Sequence, residues 1–303
     1  EMCFSDNNLG ADIDLDALNA DDIVKVLLSE NAGLIFQSNE SSIIESFSQH
    51  DIQCIEIGTA NNSGTLNVTH SSDSYKFDIA EYRDTWYETS FLLDQHQSGK
   101  QKAQERYNNY KNQALSYNFP KQFSGLKPNN DQKDRPKAAI IREKGSNSER
   151  EMAHAMYLAG FDVKDVHMTD LISGRETLED IQFIGAVGGF SNSDVLGSAK
   201  GWAGAFKYNE KAKAALDNFF KRDDVLSVGI CNGCQLFVEL NLINPEHKQS
   251  SKMTFNDSHK HESAFTSVII EENNSVMLSS LAGSTLGVWI SHGEGKFVLP
   301  EEE

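Results

Sequence analysis

Cys231 and Cys234, three positions apart in the run VLSVGICNGCQLFVEL, are the residues of this sequence best suited to covalent chemistry. A thiol pair at that spacing can be a redox couple, half of a zinc site, or one nucleophile beside a bystander. Zinc requires two further ligands, and although His247, His259 and His261 follow, neither a second CxxC nor an HxxxH pair accompanies them. A thioredoxin-like couple fits poorly at the carboxyl end of a late strand with a glycine before it. A nucleophile on a tight strand-to-helix turn needs small residues two before and two after it, because larger ones would clash. Gly229 and Gly233 meet that demand around Cys231, whereas Cys234 has Asn232 and Leu236 at those positions. VLSVGI reads as a strand and CQLFVEL as a helix carrying Leu236, Phe237 and Leu240 on its apolar face. Cys231 then stands on the turn, where the unpaired N–H groups and dipole of a helix start favour a thiolate. Cys234 falls inside the helix, in the position of the small buried residue that a cysteine commonly is.

Such a turn must be held by a sheet, and the second half of the chain reads as one. From residue 136, KAAIIR, a helix opening at Asn147 or Ser148, FDVKDVH, IQFIGAVGGF, a helix near 209–221 and VLSVGI alternate strand and helix. Short, continuously apolar strands in that alternation indicate a parallel sheet covered on both faces. The expected fold class is α/β, an open, doubly wound, mostly parallel sheet over residues 136–303. Ligands of such sheets sit at the carboxyl ends of the strands, which directs attention to the glycine-bearing loops after Arg142, Val187 and Ile230. Residues 1–98 read as a smaller α+β segment. It has short segments DIDLDAL and AGLIFQ, helices near 20–28 and 40–48, β-rich runs IQCIEIG, GTLNVTH and YKFDIA, and a helix from about 80 with Tyr82, Trp86 and Leu93 on one stripe. Residues 99–135, rich in Gln, Asn and Lys and ending in LKPNNDQKDRP, read as a connector that is helical at its start.

Composition bounds the partners. The net charge of -18, from 27 Lys and Arg against 45 Asp and Glu, repels nucleic-acid phosphates and anionic membrane surfaces. No run approaches the roughly 18 apolar residues of a membrane span, residues 1–20 lack the features of a secretion signal, and a cytoplasmic location is expected. Four scattered cysteines, Cys3, Cys54, Cys231 and Cys234, do not make a disulfide framework.

Taken together, GICNGCQ, VGGFSNSD and SHGEG resemble the class I glutamine amidotransferases, whose elbow has the form GxCxGxQ. REKGSNSEREMAHAMYLAGFDVKDVHMTDL and GGFSNSDVLGSAKGWA resemble, more closely, the phosphoribosylformylglycinamidine synthase family, large single-chain enzymes of purine biosynthesis. LSENAGLIFQ and YRDTWYETSFLLDQ resemble the end of that family's synthetase half, so the chain is expected to correspond to the C-terminal part of such an enzyme. The resemblance implies an ATP-dependent carbon–nitrogen ligase in which this region hydrolyses glutamine and passes ammonia to the synthetase half of the same polypeptide. It assigns Cys231 as the nucleophile. It places backbone oxyanion donors at Gly189, Phe190 and Asn232, and glutamine contacts at Gly188, Ser191, Gln235, His292 and Gly293. ATP and magnesium ion would serve the synthetase half, with no cofactor and no metal in this region. The family completes its triad with an HPE segment that the 303 residues lack, so no general base is carried over. In FNDSHKHESAF, similar to a family segment NxSxxFE, His261 takes the place of the aromatic, which leaves the roles of Asn256 and Glu262 unassigned. Two alternatives remain open on sequence: an inactive amidotransferase-like interaction module, and a cysteine hydrolase of another class I-like family.

Overall fold

Two apolar strands of the second half, residues 137–142 and 183–186, lie at the centre of their sheet and are buried along most of their length because both of their faces are covered. A computed structural model of the chain describes residues 1–5, 8–112, 115–126 and 134–300. These fall into two units, Glu1–Ala114 and Leu115–Glu303. Residues 99–135, read as a connector, are thus divided between the units, and Lys127 to Lys133 of LKPNNDQKDRP lie outside the described residues.

In the first unit, strands β1 (Gly10–Asp14), β2 (Gly58–Asn61), β3 (Thr65–His70) and β4 (Asp73–Asp78) form a sheet in the order β2-β1-β3-β4. β1 runs parallel to β3, and the remaining pairs are antiparallel. Helix α1 (Ile23–Leu28) is capped by Asp22, whose Oδ1 accepts from the Val24 and Lys25 amides, and α2 (Ile43–Ser48) follows. Helices α3 (Ile79–Gln97) and α4 (Lys100–Asn109) are joined by the Asp94–Arg106 ion pair at 2.7 Å and by stacking of Phe91 on Tyr107. One expectation is corrected here. IQCIEIG is not a strand: the Asp14 N–H still donates to the Ile57 carbonyl oxygen at 2.7 Å, but β1 then gives way to a 3-10 turn at Leu15–Leu18, and the residues before Ile57 have no ladder partner. The helix expected from about residue 80 is α3; its stripe of Tyr82, Trp86 and Leu93 is exposed, and its buried positions are Ile79, Arg83 and Asp94.

The second unit is built on β5 (Lys137–Arg142), the two-residue β6 (Ser146–Asn147), α5 (Glu149–Ala159), β7 (Asp162–His167), α6 (Met168–Ser173), β8 (Phe183–Ala186) and the two-residue β9 (Gly188–Gly189). It continues with α7 (Lys200–Lys207), α8 (Glu210–Phe220), β10 (Leu226–Gly229) and α9 (Asn232–Glu239). The main sheet has the order β10-β8-β5-β7, with every pair parallel. Alternation along β8 sets the helices on both faces. A Cβ on Gly185 would point at Met156 and Met152 of α5, whereas the next residue, Ala186, meets Gly233 of α9. The core around it is Ile140, Ile141, Leu171, Ile184, Trp202, Phe206 and Phe219, all nearly or fully excluded from solvent. Each large apolar side chain so buried contributes about 1.5–3 kcal/mol.

β5 connects to β7 on one side and β8 returns on the other, so the strand order reverses between β5 and β8, where open sheets of this kind present their crevice. The loops at that point are bonded to each other through β6 and β9. Strands β11 (Lys252–Thr254), β12 (Glu262–Ile269), β13 (Thr285–His292) and β14 (Lys296–Val298) form two antiparallel pairs, β11 with β14 and β12 with β13. Among the described residues, no helix is long and apolar enough to cross a membrane.

Candidate active site

β10 ends at Gly229, α9 starts at Asn232, and Cys231 lies between them with φ 53° and ψ −111°. That conformation is disfavoured for a residue with a Cβ and costs about 1–3 kcal/mol, which the surrounding structure must offset. The two flanking glycines show how tight the turn is. A Cβ on Gly229 would lie 2.6 Å from the Gly233 carbonyl oxygen, and one on Gly233 would lie 2.1 Å from the Ala186 carbonyl oxygen. The strain projects Cys231 outward as an exposed free thiol, with Sγ 3.6 Å from the Ser291 carbonyl oxygen. Cys234 sits within α9, where burial, and secondarily the neighbouring Cys231, push its thiol up from the ordinary value.

The loop after β8 passes directly against the nucleophile: a Cβ on Gly188 would be 3.2 Å from Cys231 Cβ. Gly189 has φ 108°, and the Phe190 N–H donates to the Gly145 carbonyl oxygen at 2.9 Å. The Phe190 amide is therefore already engaged, while its ring is exposed at 59%. Asn192, Ser193 and Asp194 follow with φ of 52°, 56° and 48°. Consecutive left-handed residues are costly outside glycine, least so for Asn and Asp. Asp194 Oδ1 accepts from the Ala199 amide and from Asn232 Nδ2, each at 3.4 Å, which holds the loop on the start of α7 and on α9.

Asn232 is the junction of the site. Its Oδ1 accepts from the buried Ser191 N–H at 3.1 Å, and its Nδ2 donates to Gln235 Oε1 at 3.0 Å. Gln235 in turn donates from Nε2 to the Glu294 carbonyl oxygen at 2.8 Å. A continuous chain of hydrogen bonds thus runs from the loop after β8, through the first turn of α9, to Glu294 in the turn after β13. Asn232 entered the sequence reading through its backbone N–H alone. That amide is one of the first-turn amides of α9, which have no partner within the helix. Nothing in the spacing of residues 232 and 194 signalled the side-chain role.

His292 and Gly293 lie at the end of β13 beside Ser291, the residue whose carbonyl faces Cys231. The His292 ring is 2.9 Å from Asn256 Oδ1 through Nδ1, and Gly293 accepts from the Asn256 N–H at 3.0 Å. His261 contacts Ser291 Oγ through Nε2 at 3.0 Å, and its ring lies 6.4 Å from that of Phe190. A cavity of about 390 Å³ is lined by Glu143, Ser191, Asn192, Leu196 and Ala205 among others. It opens beside the far part of the loop, with Cys231 not among its lining residues.

An exposed thiol on a strained strand-to-helix elbow of a parallel sheet, with a glycine loop against it, defines a cysteine-dependent hydrolase or amidotransferase of the open α/β type. The chain belongs to the CobB/CobQ-like glutamine amidotransferase domain family, whose profile matches residues 135–303. Its relatives include a phosphoribosylformylglycinamidine synthase of Arabidopsis thaliana, named as chloroplastic/mitochondrial. That protein is 37% identical over 100% of this chain and 22% of the relative. The human phosphoribosylformylglycinamidine synthase is 34% identical over 100% of this chain and 24% of its own length. The chain therefore spans under a quarter of either relative. A solved PurLQS structure from Thermotoga maritima aligns at 26% identity with a TM-score of 0.45, covering 56% of this chain and 72% of that one.

Proposed function

We propose that this chain is the glutamine-hydrolysing part of a phosphoribosylformylglycinamidine synthase and supplies ammonia to the synthetase half of the same polypeptide. There, formylglycinamide ribonucleotide is converted to the amidine at the expense of ATP, a step in de novo purine biosynthesis. The observation that carries the reading is Cys231, held with positive φ between Gly229 and Gly233 and against Gly188. Cys231 Sγ, as thiolate, adds to the side-chain carboxamide carbon of glutamine. The carbon–nitrogen bond breaks, ammonia leaves with an added proton, and a γ-glutamyl thioester remains, which water then cleaves to glutamate. The developing oxyanion takes hydrogen bonds from the backbone amides of Gly189 and Asn232. Phe190 is withdrawn from that role because its N–H is bonded to Gly145. Gly188, Ser191, Gln235, His292 and Gly293 shape the glutamine pocket, with Ser191 and Gln235 acting chiefly through the Asn232 chain of hydrogen bonds. Among the described residues, no group of three His, Cys, Asp or Glu side chains could hold a metal ion; ATP and magnesium ion would serve the synthetase half. A cytoplasmic location belongs to the same proposal, as does the absence of nucleic-acid or membrane partners, which the net charge of -18 supports.

The test is covalent labelling of Cys231 by a diazoketone analogue of glutamine, with protection by glutamine. In the whole enzyme, Cys231→Ala should remove glutamine-dependent synthesis and retain ammonia-dependent synthesis. Labelling that glutamine does not slow, or that persists in Cys231→Ala, would overturn the reading.

A further inference from the structure

Asn256 lies between β11 and β12, is 7% exposed, and directs most of its hydrogen bonds to one neighbouring segment. Its backbone N–H donates to the Gly293 carbonyl oxygen at 3.0 Å. Its side-chain Nδ2 donates to the His292 carbonyl oxygen at 2.7 Å and to the Lys260 carbonyl oxygen at 3.1 Å. Its Oδ1 accepts from the Gly295 N–H at 3.1 Å and from His292 Nδ1 at 2.9 Å. The orientation of the amide is settled by these partners, because the reverse would set an oxygen against two carbonyls and a nitrogen against an N–H. It also settles that His292 carries its proton on Nδ1, since Oδ1 can only accept.

The bonds reach residues 292, 293 and 295, which are interleaved with Ser291, whose carbonyl is 3.6 Å from Cys231 Sγ, and Glu294, whose carbonyl accepts from Gln235 on the helix that follows the nucleophile. The segment is tight as well as bonded, for a Cβ on Gly295 would lie 2.1 Å from His292 Nδ1. We propose that Asn256 is a positioning residue for glutamine recognition: it fixes the Ser291–Gly295 segment at the height and orientation that the substrate meets, without touching Cys231 itself. The inference rests on the glutaminase reading and deepens it, by naming the residue that sets affinity for glutamine independently of the nucleophile's reactivity.

The experiment compares two alkylating probes at Cys231 of the whole enzyme, read by peptide mapping, with thermal unfolding followed in parallel. Iodoacetamide reads the reactivity of Cys231 and needs no glutamine site, whereas the diazoketone analogue of glutamine needs one. In Asn256→Ala, the analogue concentration giving half the limiting labelling rate should rise at least about ten-fold as the segment loses its anchor, with the limiting rate and the iodoacetamide rate unchanged. Asn256→Asp keeps the size and the acceptor but turns two donated bonds into contacts between oxygens, and should show the same rise. If the alanine variant does not fold, the aspartate variant decides alone. An unchanged half-saturating concentration, or equal slowing by both probes, overturns the role of Asn256. Absence of saturable labelling in the unsubstituted enzyme removes the glutaminase reading itself, and the role with it, so the two failures are told apart.

Discussion

Gln235 Nε2 donates to the Glu294 carbonyl oxygen at 2.8 Å, so the first turn of the nucleophile-bearing helix is bonded directly to a segment 59 residues later in the chain. The other end of the same amide accepts from Asn232. Gln235 is 6% exposed, and removing it would take the side-chain donor from the half-buried Glu294 carbonyl and leave Asn232 Nδ2 only its longer bond to Asp194 Oδ1.

Gln235→Ala should therefore cost about 1–3 kcal/mol of stability and weaken labelling by the glutamine analogue. Gln235→Glu should do no better, because a carboxylate oxygen would face the Glu294 carbonyl. Chemical denaturation of both variants checks this, and an alanine variant as stable as the parent would show that the bond carries no weight.

The two neighbouring thiols should separate in their chemistry. Cys231 is exposed, whereas burial raises the Cys234 thiol. At mildly alkaline pH, iodoacetamide should modify Cys231 first and Cys234 only slowly, and Cys234→Ala should keep most glutaminase activity. Peptide mapping after timed alkylation reads the order, and preferential modification of Cys234 would contradict the elbow assignment.

Gly233→Ala tests the elbow by volume. The added Cβ would meet the Ala186 carbonyl oxygen at 2.1 Å and the carbonyl carbon at 2.5 Å, both in the backbone beside the nucleophile. Overpacking of that kind costs about 1–3 kcal/mol, and the shift it forces should slow analogue labelling of Cys231. Gly204→Ala in α7 is the control. Its nearest neighbour would be Tyr208 at 3.8 Å, an ordinary contact, and the change should stabilise by about 0.4–1 kcal/mol. Equal effects of the two substitutions in a thermal melt would contradict the prediction.

Glu176 should give the second unit a pH-dependent contribution to stability. Its carboxylate is 6% exposed, pairs with Lys164, and accepts from the Thr177 and Leu178 amides at 2.9 and 2.7 Å, bracing a turn in which Leu178 has φ 62°. Burial, the largest single influence, pushes the carboxyl up. The Lys164 ammonium and the two amides together outweigh it and hold the group below its ordinary value of 4.5. A carboxyl lowered in the folded state contributes stability above its unfolded value, and loses it as pH falls through the folded one. Glu176→Gln should accordingly cost about 1–2 kcal/mol at neutral pH, with the difference from the parent shrinking below about pH 4. Urea unfolding at the two pH values measures it, and a difference independent of pH would exclude the charge as its source.

Much of the main sheet was legible because its signals are local. Continuous apolar runs such as KAAIIR mark strands buried on both faces, and Gly229 and Gly233 mark a turn too tight for a Cβ whatever surrounds it. Cys231 was separable from Cys234 on that ground alone. In IQCIEIG, the same kind of composition gave a wrong strand, since a ladder also needs a partner of matching length and β1 ends at Asp14. What only the tertiary structure decided are relationships between side chains and backbone groups far apart in the chain. The Phe190 amide is bonded to Gly145, Asn232 joins Ser191 to Gln235, and Asn256 holds His292 and Gly295. A hydrogen bond depends on where a donor and an acceptor arrive after the chain has packed. Residue type at one position states the capacity to bond, and the fold alone selects the partner.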